Sequence, residues 1–414
     1  NLQTGTLSDG SSYAINAKAI DIAGNASAAS SPSFSVTVDT TAPASPSLTL
    51  AADTGISTSD RLTNNATLNV SGLEANATWE FSTDGGVGWT AGSGSSFSVT
   101  AGSYSTGQVQ VRQTDRAGNV SAPYTSFAAF TVDTTAPSVT SVSTSGTGIT
   151  AGAGYLKAGA VVTITVNTSE AVTISGGTPS LSLSSGGTAT YTGGSGSTAL
   201  VFSYTVGATD NSADLTITAL NNNSATLTDA AGNAFASFSN NPAGTLVIDT
   251  VAPNAPAITS VTDDVAPLTG SLTAPAFTND TNLTVRVSLS GTNAVAGDTI
   301  QLYNGSSALG SAYTITSTDF TNGYANLQTG TLSDGSSYAI NAKVIDIAGN
   351  ASAASSPSFS VTVDTTAPTA TRGSQSVQLV EAGGATAGTS SRSEEHTSEL
   401  QSHSDLVCRL LLEK

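Results

Sequence analysis

Residues 332–368 read LSDGSSYAINAKVIDIAGNASAASSPSFSVTVDTTAP, and this stretch decides the fold. Apolar residues alternate with small polar ones in SYAINAKVI and again in SFSVTV, which is the pattern of half-buried antiparallel strands. Gly349 and Asn350 lie between the two runs and favour a tight turn. The stretch therefore predicts two paired strands, the second of which leads into the hexapeptide VDTTAP.

The hexapeptide recurs along the chain. It stands at 38–43, 132–137 and 363–368, and as IDTVAP at 248–253. Its aspartates, Asp39, Asp133, Asp249 and Asp364, are 94, 116 and 115 residues apart, and each interval is a usual size for one β-sandwich domain. The proline that ends each copy fixes φ and prevents the strand from continuing. We therefore interpret the hexapeptide as a short, stiff junction between modules.

A longer repeat defines the modules. Residues 1–43 recur at 326–368 with a single change, Ala19 to Val344, which implies recent duplication within a long array. The chain is expected to open in the back half of a module. The predicted segments are the C-terminal part of a truncated module at 1–41, complete modules at 42–135, 136–251 and 252–366, the start of a further module at 367–391, and a separate tail at 392–414.

Alternation with period two continues through the modules. It is clear in ATLNVSGL, GQVQVRQTD, VVTITVNTSE, LVFSYTV, ADLTITAL and NLTVRVSLS, where Thr, Val, Ser and Ile dominate. Gly, Asn and Asp stand at the breaks between these runs and favour turns. The sequence predicts an all-β chain with almost no helix, arranged as tandem antiparallel β-sandwiches in an elongated array.

The tail differs from everything before it. From Arg392 the chain reads RSEEHTSELQSH, which resembles the in-frame translation of a common sequencing-library adapter. The alternative is a genuine C-terminal helix. The tail holds both histidines, His396 and His403, and the single cysteine, Cys408, so its exclusion removes those residues from consideration.

The amino-acid composition argues against several classes of function. The chain of 414 residues has a net charge of −18, and 24 acids against 8 bases precede the tail. This negative field disfavours nucleic acid and anionic membranes as partners, and no apolar run is long enough to cross a bilayer. The lack of His and Cys before Arg392 argues against imidazole catalysis, thiol nucleophiles, disulfides and the usual zinc sites. We therefore expect that this chain is not an enzyme.

The DxAGN and VDTTAP motifs together resemble bacterial immunoglobulin-like repeats of large, biofilm-associated surface adhesins exported by type I secretion. The resemblance covers 1–391. It is strengthened by the stretch ITSVTDDVAPLTG at 258–270. In addition, Tyr338, which follows LSDGSS, resembles the tyrosine corner of immunoglobulin-like folds. Module 136–251 resembles a second repeat type of such proteins. The resemblance implies a non-catalytic stalk at the bacterial cell surface, outside the cell, which spaces and rigidifies an adhesive region in adhesion and biofilm formation.

The same resemblance implies partners and a cofactor. A host, surface or matrix ligand would be bound by regions outside this chain, and self-association is a further option. Several such repeats bind calcium between domains, so calcium is the expected cofactor.

Sandwich geometry then suggests which aspartates meet. The last strand of a module ends at the pole that faces the next module, where the DxAGN turn of that module lies. Crowded carboxylates repel unless a hard cation gathers them. The predicted calcium ligands are Asp39 with Asp115, Asp133 with Asp53 and Asp229, Asp249 with Asp346, and Asp364 with Asp263 and Asp264. The alternative is that these aspartates only cap turns.

Two alternative functions have weaker support in the sequence. FSTDGGVGWT resembles one Asp box of a sialidase propeller through Ser82, Asp84, Gly86 and Trp89, but a hairpin whose two tryptophans pack across strands explains it better. An accessory module train of a secreted polysaccharide-degrading enzyme would need aromatic sugar platforms, and both tryptophans lie in one module. The stalk is the preferred interpretation.

Overall fold

A computed structural model describes residues 2–235 and 240–367. Strands make up nearly all of its regular structure, so the prediction of an all-β chain of tandem sandwiches is confirmed. All described strands belong to the unit 1–365, and Pro368 and the tail lie outside the described residues. Within the described ranges, no helix is long and apolar enough to cross a membrane.

The chain begins with a two-stranded hairpin. Its antiparallel strands are β1, Ser12–Ile15, and β2, Phe34–Thr37. Among the described residues, β1 and β2 pair with no other strand, and Phe34 is 72% exposed. The hairpin therefore has no core of its own.

The first sandwich has three three-stranded sheets around one core. The sheet orders are β3-β5-β8, β10-β6-β7 and β4-β11-β9. Alternation brings Leu68, Val111 and Val132 inside, where Trp79 also packs. The strands are β3 Ser47–Leu50, β4 Leu62–Thr63, β5 Thr67–Ser71, β6 Thr78–Ser82, β7 Thr90–Ala91, β8 Ser96–Ser98, β9 Gly102–Tyr104, β10 Gln110–Thr114 and β11 Phe130–Val132.

The second sandwich is built on one large sheet of order β12-β14-β17-β16-β15-β18, with β19 on β14 and a separate pair, β13-β20. Its core includes Ile164, Phe202 and Tyr204, all nearly inaccessible to solvent. The strands are β12 Val139–Ser145, β13 Gly154–Leu156, β14 Val161–Ser175, β15 Ser180–Leu183, β16 Thr188–Gly193, β17 Ser197–Thr205, β18 Ile217–Asn221, β19 Thr226–Thr228 and β20 Leu246–Ile248.

The third sandwich packs a sheet of order β22-β21-β24-β27 with one of order β23-β29-β28-β25-β26. A capping box between Thr316 and Asp319 starts its short helix α1, Ser317–Asn322. The strands are β21 Ala257–Asp263, β22 Gly270–Ser271, β23 Ala276–Thr278, β24 Thr284–Ser288, β25 Thr299–Asn304, β26 Ser307–Thr314, β27 Tyr324–Gln328, β28 Ser337–Ile345 and β29 Phe359–Val363.

Each sandwich ends in the same way. Its last strand, β11, β20 or β29, lies parallel to a short strand, β4, β13 or β23. The hexapeptide aspartate then donates its N–H to the end of that short strand: Asp133 to Thr63, Asp249 to Leu156 and Asp364 to Thr278, at 2.8–2.9 Å. The hexapeptide is thus anchored to its own sandwich before the chain leaves it.

The predicted tyrosine corner is confirmed. Tyr338 lies in β28, the penultimate strand of the third sandwich, and its hydroxyl accepts the N–H of Ser333 at 2.8 Å. Tyr13 and Ser8 repeat this bond at 2.9 Å in the hairpin. The corner is a local structure, since it forms in both copies.

Candidate metal centre

Each DxAGN turn is closed by its own aspartate. In the second sandwich, Asp229 Oδ1 accepts the N–H groups of Gly232 and Asn233 at 2.7 and 2.8 Å, and Oδ2 accepts Asn233 Nδ2 at 2.8 Å. Asp115 and Asp346 hold the asparagines of their turns in the same way. These bonds are the ones that the turn-capping alternative requires.

The asparagine of each turn also reaches the preceding hexapeptide. An amide nitrogen carries two donor hydrogens, so Nδ2 can bond its own aspartate and a second acceptor. That acceptor is the main-chain carbonyl of the hexapeptide aspartate: Asn119 bonds Asp39 at 3.1 Å, Asn233 bonds Asp133 at 2.8 Å, and Asn350 bonds Asp249 at 2.9 Å. The structure therefore brings together Asp39 with the Asp115 turn, Asp133 with the Asp229 turn and Asp249 with the Asp346 turn.

Carboxylates converge most closely at the second of these junctions. Asp133, Glu170 and Asp229 each place a carboxylate oxygen within 4.8 Å of the others. Asp229 is 1% exposed, while the other two are half-buried. At an effective dielectric constant of about 20, two ionised carboxylates at this separation repel by about 3.5 kcal/mol. A cation at this position would remove that repulsion.

Glu170 was not among the residues expected from the sequence. It lies in β14 where the pairing with β17 shifts register between Asn167 and Val172. Burial first, and then the charges of Asp229 and Asp133, raise the pKa of its carboxyl. Only four glutamates precede the tail, so a glutamate inside a β-strand was the available signal.

Asp53 lies on a loop that contacts the turn of the second sandwich. Thr54 Oγ1 donates to the Ala231 carbonyl at 2.8 Å, and the Ile56 N–H donates to the Ala230 carbonyl at 3.3 Å. Asp53 Oδ2 accepts the Arg61 N–H at 3.0 Å, whereas its buried Oδ1 has no hydrogen-bond partner among the described residues. Asp53 is not part of the group within 4.8 Å.

The third junction contains a cavity of about 260 Å³ instead. Asp249, Asp298 and Asp346 line it together with apolar side chains such as Val251 and Ile347. Asp298, which the sequence had not indicated, is 2% exposed. Burial, followed by the charges of Asp346 and Asp249, raises its pKa against the lowering effect of two backbone hydrogen bonds.

The remaining candidates lie at the far pole of the third sandwich. Asp263, 1% exposed, accepts the Thr278 hydroxyl at 2.5 Å, and Asp364 donates its N–H to the Thr278 carbonyl, so both meet at this residue. Asp264 donates its N–H to Asp280, another buried carboxylate that sequence reasoning missed. The residues beyond 367 that would complete this junction lie outside the described part.

The Asp-box stretch forms a hairpin between β6 and β7. Ser82 and the Gly88 N–H bond the Asp84 carboxylate, which closes the loop. The two indoles have separate partners: Trp79 packs against Phe97 in the core, and Trp89 lies under the Arg112 guanidinium. The expected hairpin is present, without a tryptophan pair.

The residues at Asp133 suit calcium. Calcium prefers six to eight oxygen ligands, including carboxylates and backbone carbonyls. Asp133, Glu170 and Asp229 would supply the carboxylates. The buried Oδ1 of Asp53, which has no hydrogen-bond partner among the described residues, lies on the adjoining loop, and neither histidine nor cysteine occurs before Arg392.

Comparison with known proteins found a family model similar to the first sandwich. Residues 41–134 match the bacterial Ig-like domain family. The matched region spans β3 to β11 and ends within the hexapeptide at Thr134. No curated protein matches the chain in sequence.

Several solved structures are similar. They include a Ca²⁺-stabilised adhesin that helps an Antarctic bacterium bind ice, at 18% identity over 85% of this chain and 82% of that one, with a TM-score of 0.34. A 1.5-MDa bacterial ice-binding adhesin matches at 17% identity over 78% and 99%, TM-score 0.33. An I-band fragment of titin matches at 12% identity over 72% and 90%, TM-score 0.29. At such identities and TM-scores the likeness carries no argument about function.

The junction asparagine can be tested directly. Asn233→Ala removes the side-chain bonds to Asp229 Oδ2 and to the Asp133 carbonyl, and we expect it to lower the free energy of unfolding of the second sandwich by about 1–3 kcal/mol. Asn25→Ala is the matched control, because Asn25 bonds only Asp21 within the exposed hairpin. Calorimetry of both variants measures the difference, and equal, negligible losses would show that the junction bond contributes nothing.

Proposed function

We propose that this chain is a non-catalytic stalk segment of a bacterial cell-surface adhesin, acting outside the cell, and that calcium stiffens its module junctions. The observation that carries the proposal is the convergence of Asp133, Glu170 and Asp229 beside an inter-sandwich hydrogen bond. The bacterial Ig-like match over 41–134 supports the bacterial setting.

The repeated construction supports a mechanical role. Three hydrophobic cores follow one another, and the same asparagine-to-carbonyl bond joins each turn to the hexapeptide before it. Modules joined in series by stiff junctions keep the two ends of the chain apart, and a spacer between a cell surface and an adhesive region must do this. Export by type I secretion, a part in biofilm formation, and a ligand bound by other regions remain part of the proposal.

Calcium at the Asp133 junction would bridge two sandwiches. Asp133 belongs to the end of the first, whereas Glu170 and Asp229 belong to the second. A cation held by both fixes their relative orientation, because any rotation would separate the ligands. Extracellular calcium sites bind at about 10⁻⁴–10⁻³ M, so such a joint would be stiff outside the cell and loose where calcium is scarce.

The test compares the full chain in calcium and in chelator. For a Kd of about 10⁻⁴ M, a hundredfold excess of calcium should stabilise the folded state by about 2.7 kcal/mol. X-ray scattering should show a changed maximum dimension as the joint stiffens. Asp133→Ala should abolish most of both responses, while Asp21→Ala, in the equivalent turn of the hairpin, should leave them intact. The proposal fails if calcium changes neither dimension nor melting temperature.

A further inference from the structure

The junctions do not offer equal sites to a cation. At Asp133, three carboxylates lie within 4.8 Å of one another. Among the described residues, those of Asp249, Asp298 and Asp346 do not form such a group but surround a cavity of about 260 Å³. The arrangement of acids, rather than their number, distinguishes the two junctions.

Asp298 and Glu170, the third carboxylates of the two junctions, differ in their hydrogen bonds. Asp298 Oδ1 accepts the Ile347 N–H at 3.1 Å and Oδ2 accepts the Val295 N–H at 2.8 Å, so both oxygens already hold protein donors. In the described part of the chain, no hydrogen bond reaches the Glu170 carboxylate, whose main-chain carbonyl alone accepts one, from Thr168. Glu170 can therefore turn its carboxylate to a cation without losing a bond, and Asp298 cannot.

A basic residue adds a second difference. Lys157, directly after β13, donates from Nζ to the Gly349 carbonyl at 2.8 Å, within the turn of the third sandwich. The corresponding contacts on the turn at Asp229 come from the neutral groups of Thr54 and Ile56. The Lys157 ammonium thus joins the second and third sandwiches, and its positive charge lowers the attraction of that junction for another cation.

We infer that the two junctions are held differently: calcium holds the one at Asp133, whereas the bond from Lys157 to Gly349, beside that from Asn350 to Asp249, holds the other without calcium. The inference rests on the proposed function, since it assumes that calcium binds this chain. It predicts one calcium site of clearly higher affinity rather than one at every hexapeptide. In low calcium, the stalk would bend between the first and second sandwiches while the second and third stay coupled.

Calorimetric titration of the full chain with calcium chloride tests this assignment. The wild-type chain should show one high-affinity calcium, and Glu170→Gln should weaken that site at least about tenfold, the loss of one charged ligand. Asp298→Asn should leave its affinity within about twofold. Asp249→Asn, at a half-buried position of the same junction, serves if Asp298→Asn fails to fold. Lys157→Gln should leave the high-affinity site unchanged but lower the melting temperature in chelator.

The results separate the two claims. Two or three equal high-affinity sites, or a loss in Asp298→Asn or Asp249→Asn as large as in Glu170→Gln, would overturn the difference between the junctions while leaving calcium binding in place. An unchanged melting temperature of Lys157→Gln in chelator would contradict the role given to Lys157. A wild-type chain that binds no calcium at all would refute the proposed function, and this inference with it.

Discussion

Amide hydrogens of β28 should exchange at least about a thousandfold more slowly than those of β1, although the two segments come from copies of the same sequence. Ile340, Ala342 and Val344 are fully buried in the third sandwich. Of the described strands, β1 pairs with β2 alone, and its side chains are half-buried or exposed. A lone hairpin is marginally stable, so its amides exchange through frequent local opening. In β28, exchange must await unfolding of a whole sandwich.

The duplication makes this comparison unusually clean. Neighbouring side chains set the intrinsic exchange rate, and they are the same in both copies except at Ala19 and Val344. That single difference gives peptides covering 13–20 and 338–345 different masses, so mass spectrometry can follow both in one sample. Equal protection of the two peptides would mean that the hairpin is held by contacts other than those seen here.

Ile340→Ala should cost the third sandwich about 2–5 kcal/mol, whereas Ile15→Ala should cost less than about 0.5 kcal/mol. The two isoleucines occupy the same position in the repeat. Ile340 is 0% exposed and packs within the core, so its truncation removes apolar contacts and leaves a cavity. Ile15 is half-buried within a hairpin that lacks a core.

Hydrogen exchange at increasing urea concentration measures both losses: peptides from β24 report the stability of the third sandwich, and peptides from β1 report that of the hairpin. Tryptophan fluorescence gives an internal control, because Trp79 and Trp89 both lie in the first sandwich. Its midpoint should be the same in both variants. Similar losses for Ile340→Ala and Ile15→Ala would contradict the burial that distinguishes the copies.

The junction residues show where sequence reasoning reached its limit. Spacing and sandwich geometry suggested that Asp133 would face the turn at Asp229, and the structure places them together. Glu170 and Asp298 were missed because each approaches from a strand or loop far along the chain. Neither residue lies in a repeated motif. The register shift in β14 that brings Glu170 to the junction depends on the pairing of β14 with β17, which the sequence does not show.

The duplicated segment separates what sequence and tertiary structure each decide. Asp21 and Asn25 make the same turn bonds as Asp346 and Asn350, because these donors and acceptors lie within four residues of each other and need no other part of the chain. Strand pairing of β1 with β2 also repeats that of β28 with β29. Turns, strands, the tyrosine corner and the all-β class were therefore fixed locally.

The burial of side chains, in contrast, is not determined by the local sequence. Val363 is fully buried, and the N–H of the next residue, Asp364, reaches the parallel strand β23. Val38 occupies the same place in the hairpin, and no described strand lies parallel to β2 beside it. Residues 257–325 supply the missing sheet to one copy only. Hydrophobic burial depends on surfaces brought together from distant parts of the chain, and so does the gathering of carboxylates at Asp133. The sequence alone determined the local structures, and tertiary packing decided which of them are buried and where carboxylates come together.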